Sequence, residues 1–177
     1  LVSSPAYDPS LLVGRVRSEN FSKLQSDTVF KPLFNRAFMA SYPPGSTFKP
    51  INGLIALQEK VIIPSTLFGC SNGYHAGPIS VGCHSHSSPL DLAGAVSNSC
   101  NSYFCQAFRR ILENPEYGSI AEAFDRWKTY LTEFGFGKKL GTEFPNELNG
   151  VIPSSAYFDR YYGEGRWKAL TVISLAI

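Results

Sequence analysis

No apolar run in the chain approaches the ~18 residues that a bilayer-spanning helix needs. The longest apolar stretches lie near Ala169–Ile177 and Val61–Ile63. There is no secretory leader pattern, no initiator Met, no internal repeat and no low-complexity tract. An excess of either charge is also missing. Lys and Arg number 16 against 14 Asp and Glu, a net charge of +2. That is too small to argue for nucleic acid or an acidic membrane surface as partner.

What is present suits a packed domain. The 177 residues are 44% hydrophobic and 17% charged, an ordinary composition with enough length for one core. Leu1-Val2-Ser3-Ser4 has the character of a strand already under way, and Ala169–Ile177 stops inside an apolar segment. The expectation is a single partial domain over residues 1–177, truncated at both ends. Four cysteines (Cys70, Cys83, Cys100, Cys105) and three histidines (His75, His84, His86) crowd into residues 70–105.

Residues 1–13 are expected to be extended, ending at a Tyr-Asp-Pro-Ser turn, because the residue before proline disfavours helix. Residues 14–42 read as polar and irregular. Tyr42-Pro43-Pro44-Gly45 forms a rigid lead-in to a helix starting at Ser46, with Phe48, Ile51, Leu54, Ile55 and Leu57 at helical spacing and Pro64 closing the segment. Residues 64–88 show no periodicity and read as a long loop, which needs something to hold it. Leu92, Val96, Phe104, Phe108 and Ile111 give a second helical face. Its expected break is at Ser97-Asn98-Ser99-Cys100-Asn101-Ser102, whose side chains compete for backbone hydrogen bonds. Residues 119–134 predict another helix, through Ile120, Phe124, Trp127 and Leu131, and glycines mark turns beyond it. The fold class expected is α+β, helix-rich in this part.

Ser46-Thr47-Phe48-Lys49 is Ser-x-x-Lys. The spacing puts both side chains on one helix face. Serine needs an adjacent base to become a nucleophile. Lysine serves only when neutral, and at its ordinary pKa only roughly one molecule in 2,500 is neutral at pH 7. Burial or a second cation must therefore lower it, and a helix N-terminus would favour the developing alkoxide. The bland reading of the four residues is a capping Ser and a solvent-facing Lys. Ser99-Cys100-Asn101, about fifty residues on, adds a Ser-x-Asn able to relay a proton and hold a substrate amide; by itself it is equally a turn of small polar residues. Ser-x-x-Lys followed by such a second element is a known pairing in acyl-serine enzymes.

Several stretches resemble the transpeptidase domain of class B penicillin-binding proteins of the elongation type, commonly called penicillin-binding protein 2. They are Tyr42-Pro43-Pro44-Gly45-Ser46-Thr47-Phe48-Lys49-Pro50, the opening residues 1–9, Asn35-Arg36-Ala37, Ser99-Cys100-Asn101-Ser102-Tyr103-Phe104, Phe134-Gly135-Phe136-Gly137, the stretch 144–153 and Trp167. The resemblance implies the penicillin-binding-protein/serine β-lactamase-like fold, mostly its helical part, with most core sheet strands missing. It implies D,D-transpeptidation of peptidoglycan stem peptides, with Ser46 the nucleophile, Lys49 its base, and Ser99 and Asn101 assisting. β-Lactams would acylate Ser46. No catalytic cofactor is implied. Other cell-wall elongation proteins would be partners, and the location would be the periplasmic face of the inner membrane, on an N-terminal anchor.

One departure is large. The family's third motif, Lys-Ser/Thr-Gly, does not occur, and Lys128-Thr129 runs on into Tyr130 within a predicted helix. In the family that motif lies further downstream, on a strand that donates an oxyanion N–H, a contact typically worth ~100–1,000-fold in rate. The piece by itself is expected to be inert or badly crippled. A class D-like β-lactamase, a β-lactam sensor and a non-catalytic cell-wall scaffold are the alternatives.

Cys70, Cys83, His86 and Cys100 have the donor types of a tetrahedral zinc site. Cys83-x-x-His86 supplies two ligands from one turn, and some elongation-type relatives resemble this with Asp, His and Cys. His84 is the second choice to His86, because side chains alternate along an extended segment. A Cys70–Cys83 disulfide and simple buried thiols remain open. Cys105 falls at core spacing, and His75 is expected on the loop surface.

Overall fold

The computed structural model describes residues 3–143 and 146–177. The sequence expectations at Leu1-Val2 and at Phe144-Pro145 lie outside the described residues. Two compact units emerge, Leu1–Tyr42 with Gly137–Val151, and Pro43–Phe136 with Ile152–Ile177.

The first unit is held by polar contacts. Residues 3–8 form no strand. Asp8 caps a 3-10 turn, Pro9–Leu12, by accepting the Ser10 N–H at 2.9 Å. The stretch expected to be irregular contains helix α1, Arg17–Ser26, which buries no residue. Its apolar residues are Phe21 and Leu24 alone, too few to make an apolar stripe; Glu19 and Lys23 pair at 2.7 Å across one turn. Asn35 caps the short α2, Arg36–Met39, by accepting the Ala37 N–H. Within the same unit Leu148 N–H donates to Phe38 O at 3.0 Å, and the Glu147 carboxylate accepts from Leu140 N–H and from both Thr142 donors.

The second unit has the core. A 3-10 turn, Gly45–Phe48, runs straight into α3, Lys49–Gln58. The helix stops well short of Pro64, because Lys60 turns left-handed (φ +55°) and Val61 N–H returns to Ala56 O, a Schellman-type ending. Leu54, expected on the apolar face, is exposed. Gly53 lets neighbouring helices approach closely: a Cβ there would stand 3.2 Å from Leu92 Cδ1 and 3.5 Å from Phe104 Cε1.

The predicted loop is partly a hairpin, β1 Gly73–Ala76 antiparallel to β2 Ile79–Gly82, paired Gly73↔Gly82 to Ala76↔Ile79. Gly77, at φ +57°, supplies the left-handed first turn residue of a two-residue hairpin loop. The strands are four residues each, Gly-Tyr-His-Ala and Ile-Ser-Val-Gly, too short to establish an alternation.

Helices α4, Leu92–Ser97, and α5, Asn101–Leu112, flank the expected break. Val96 is exposed, but α5 buries Phe104, Phe108 and Ile111 with five others. Burial of each large apolar side chain stabilises by roughly 1.5–3 kcal/mol. Helix α6, Ile120–Glu133, is capped by Ser119 and buries Phe124, Trp127 and Leu131 as its spacing required. Helix α7, Ser155–Tyr162, was hidden among the turn signals, and the closing apolar stretch forms a 3-10 segment, Ala169–Ala176. Trp127 is the hub of the aromatic core, meeting Phe108, Phe124 and Phe48. The architecture is α+β and mostly helical, as expected.

Candidate active site

Gly45 sits at φ +59°, and Thr47 Oγ1 donates to Pro44 O at 2.7 Å. Together with two prolines this turns the chain into the 3-10 turn that carries Ser46 and leads into α3, so the helix expected from Ser46 becomes α-helical only at Lys49. Lys49 N–H closes the turn on Ser46 O. Ser46 is exposed, as a nucleophile open to substrate must be.

Lys49 is 2% exposed. Its Nζ donates three hydrogen bonds, to Ser99 O at 2.7 Å, to Ser99 Oγ at 3.0 Å and to Asn101 Oδ1. The two sequence elements therefore meet at one ammonium. Burial draws the Lys49 pKa below its ordinary value, opposed by the nearby thiols of Cys83, Cys100 and Cys105. All three Nζ donors are engaged with the second element, and Ser46 Oγ makes no hydrogen bond among the described residues.

Ser99 reaches Lys49 through an unusual backbone. It is the left-handed residue (φ +48°) that ends α4, and Cys100 N–H returns to Ala95 O at 2.9 Å. A side chain in that region carries strain, commonly seen at functional positions. Asn101 opens α5, and its amide is fixed from the far side. Its Nδ2 donates to Gly82 O at 2.7 Å, and its backbone N–H reaches Cys83 Sγ at 3.3 Å.

Cys83 belongs to the second constellation. One ligand atom each from Cys70, Cys83, His86 and Cys100 all lie within 4.8 Å of one another. No cysteine is disulfide-bonded. His86 Nε2 stands 3.5 Å from Cys83 Sγ, while His86 Nδ1 contacts Ser87 O at 2.6 Å. That outer contact leaves Nε2 as the nitrogen facing the thiols. The Ser87 carbonyl and Cys83 together raise the His86 pKa. Burial would raise the Cys83 thiol, but hydrogen bonds from Asn101 N–H, His86 and Cys70 bring it down to about 7. Cys100, beside them, is pushed up to about 12 by burial. Three soft sulfur donors with one imidazole nitrogen form a donor set that fits zinc. His84 is exposed and His75 lies on β1 at the surface. Cys105 is buried in the core.

The family model of the penicillin-binding protein transpeptidase domain matches residues 1–176. The chain belongs to that family. It is 29% identical over 181 residues to the peptidoglycan D,D-transpeptidase MrdA of Acinetobacter baumannii, aligning all of this chain and 25% of that protein. The chain thus spans about a quarter of the length of its curated relatives. Penicillin-binding protein 2 of Helicobacter pylori superposes with a TM-score of 0.81 at 25% identity, over 99% of this chain and 31% of the other. The same protein in complex with MreC gives 0.78 at 26% identity, over 99% and 31%.

Two residues around the Lys49 constellation escaped the sequence reading. Gly82 O, which orients Asn101, comes from a hairpin end that no residue type marks. Asn52, buried one turn beyond Lys49, did leave a trace: it is a polar residue within a helix whose other residues from Pro50 to Leu57 are apolar or glycine.

Proposed function

We propose that the parent protein is a peptidoglycan D,D-transpeptidase. The observation carrying this reading is the buried Lys49, which gathers Ser99 and Asn101 from fifty residues away beside an exposed Ser46. Ser46 Oγ attacks the carbonyl between the two terminal D-Ala residues of a stem peptide, and its proton passes to neutral Lys49. The amide C–N bond breaks, and the departing D-Ala takes a proton relayed through Ser99 Oγ. The amine of a neighbouring stem then attacks the acyl ester, forming the cross-link and freeing Ser46. Asn101 holds the substrate amide. For Ser46 to be deprotonated, Lys49 must give up one of its three bonds to the second element, and its burial favours the neutral form that can do so.

β-Lactams are proposed to acylate the same serine. Zinc is proposed at Cys70, Cys83, His86 and Cys100, where it would supply structure to the loop and no step of acyl transfer. A cell-wall partner is proposed from the MreC-bound neighbour, and a periplasmic location from the substrate. Among the described residues no helix is long and apolar enough to cross a membrane.

In full-length protein, fluorescent penicillin should label the wild type covalently, and Ser46→Ala should not label while melting at the same temperature. Continued labelling of Ser46→Ala would mean that another residue is the nucleophile.

A further inference from the structure

Asn52 is 0% exposed and every polar atom of its side chain is used. Its Oδ1 accepts the Trp127 indole N–H at 2.8 Å. Its Nδ2 donates to Leu175 O at 3.1 Å and Ala176 O at 3.2 Å. The residue sits three positions after Lys49, one turn further along the same face of α3. It thus ties that helix to α6 on one side and to the 3-10 segment Ala169–Ala176 on another.

The same indole also meets Phe48, edge to face at 6.4 Å. Phe48 lies directly before Lys49, and Phe136 packs on it from another direction at 5.7 Å. Trp127 therefore grips α3 at two points that bracket Lys49, by packing before it and by a directional hydrogen bond after it. Packing alone leaves a helix free to turn a little about its axis, since apolar contacts are non-directional. A hydrogen bond with a defined angle does not.

From this we propose that Asn52 is a positioning residue, one that sets the rotation of α3 and so places Lys49 Nζ and Ser46 Oγ for acylation. The proposal rests on the transpeptidase reading above. The magnitude is sufficient. Side chains reaching about 6 Å from a helix axis move roughly 2 Å when the helix turns by 20°. Lys49 holds Ser99 at 2.7 and 3.0 Å, so such a turn breaks the arrangement. Only an amide fits, because one end must accept and the other must donate. A carboxylate would set an oxygen against two carbonyl oxygens. A leucine would match the volume and lose all three bonds.

The test measures fluorescent-penicillin acylation of full-length protein against drug concentration, separating the binding constant from the acylation rate constant, with melting temperatures alongside. The variants are Asn52→Leu, Trp127→Phe and their combination. Trp167→Phe is the control, because it removes an indole bond to Asp159 (2.7 Å) that does not touch α3. All three test variants should acylate at least tenfold more slowly with binding unchanged within twofold. The double variant should recover melting temperature relative to the sum of the singles, because donor and acceptor leave together, yet remain slow. Trp167→Phe should melt lower and acylate at the wild-type rate. The inference falls if folded Asn52→Leu acylates within twofold of wild type, or if the slowing tracks melting temperature across all four variants. Failure of the wild type to label would instead bring down the transpeptidase reading, and the positioning role with it.

Discussion

Helices α3, α5 and α6 and the segment from Gly69 to Ser88 both contribute to one site, but they are held in different ways. The helices are fixed by area: Phe104, Phe108, Phe124 and Leu131 are fully buried, with Trp127 at their centre. The segment buries one large side chain in that core, Tyr74, and is otherwise fixed mainly at points. Gly69 O accepts from Ser102 Oγ and Gln106 Nε2, Cys70 N–H donates to Ser88 Oγ, four residue pairs make the hairpin, and Cys83 Sγ takes the Asn101 N–H. Area is additive and forgiving, since each methylene is a small part of the total. Point contacts are few, and each carries much of the local order, so the segment's geometry depends on the chemical state of its thiols in a way that the helices do not.

Asn101 is where the two regions meet, and Lys49, whose ammonium it accepts from, offers the sharpest test. Lys49→Arg should lose acylation by about 100- to 10,000-fold, the usual worth of a general base, and should do nearly as badly as Lys49→Ala. Guanidinium keeps the charge but cannot give up a proton. Stopped-flow acylation with a chromogenic cephalosporin reads this, and substantial activity of Lys49→Arg would exclude the neutral-base role.

On the helical side, Phe124→Ala should cost roughly 3–5 kcal/mol of global stability, measured by urea unfolding. The loss should lower protection across α5 and α6 together, because Phe124 packs on Trp127, which in turn meets Phe108 of α5. A loss confined to α6 would deny that the helices share one core.

The point-held segment should respond in the opposite manner. Cys100→Ser, or a chelator on protein purified with its metal, should cost about 1–3 kcal/mol on the scale of a ligand released from the folded state. Hydrogen exchange should rise in residues 69–88 and leave α6 unchanged. Elemental analysis of the wild type should find one zinc per chain, reduced in Cys100→Ser. Protection that falls equally in α6, or protein purified without chelator that holds no zinc, would erase the distinction drawn between the two regions.

How much of this was legible in the sequence depended on whether the signal was local. The break before α5 could be read because Ser, Asn and Cys side chains act on the backbone beside them, and Cys100 does cap the helix. Helix α6 could be read because its apolar spacing repeats over four turns. Helix α1 could not, since a helix without a buried face has no stripe, and the hairpin could not, since strands of four residues are too short to show an alternation. Leu54 and Val96 fitted helical spacing but face outward, because spacing gives a face's period and not which neighbours cover it.

The sequence by itself determined the chemistry available. It set a serine and a lysine one turn apart, a Ser-x-Asn at a forced break, and thiols with a histidine at ligand spacing, because residue type and short spacing act through the chain. Tertiary structure alone decided what those groups meet. Lys49 is drawn below its ordinary pKa because α5 and its neighbours shut out water. Its three donors point to Ser99 and Asn101 because Gly82 orients the asparagine from a hairpin. Asn52 finds Trp127 and two carbonyls across more than seventy residues. Such partners are distant in the chain, and a hydrogen bond is set by distance and angle in space, which no local pattern encodes.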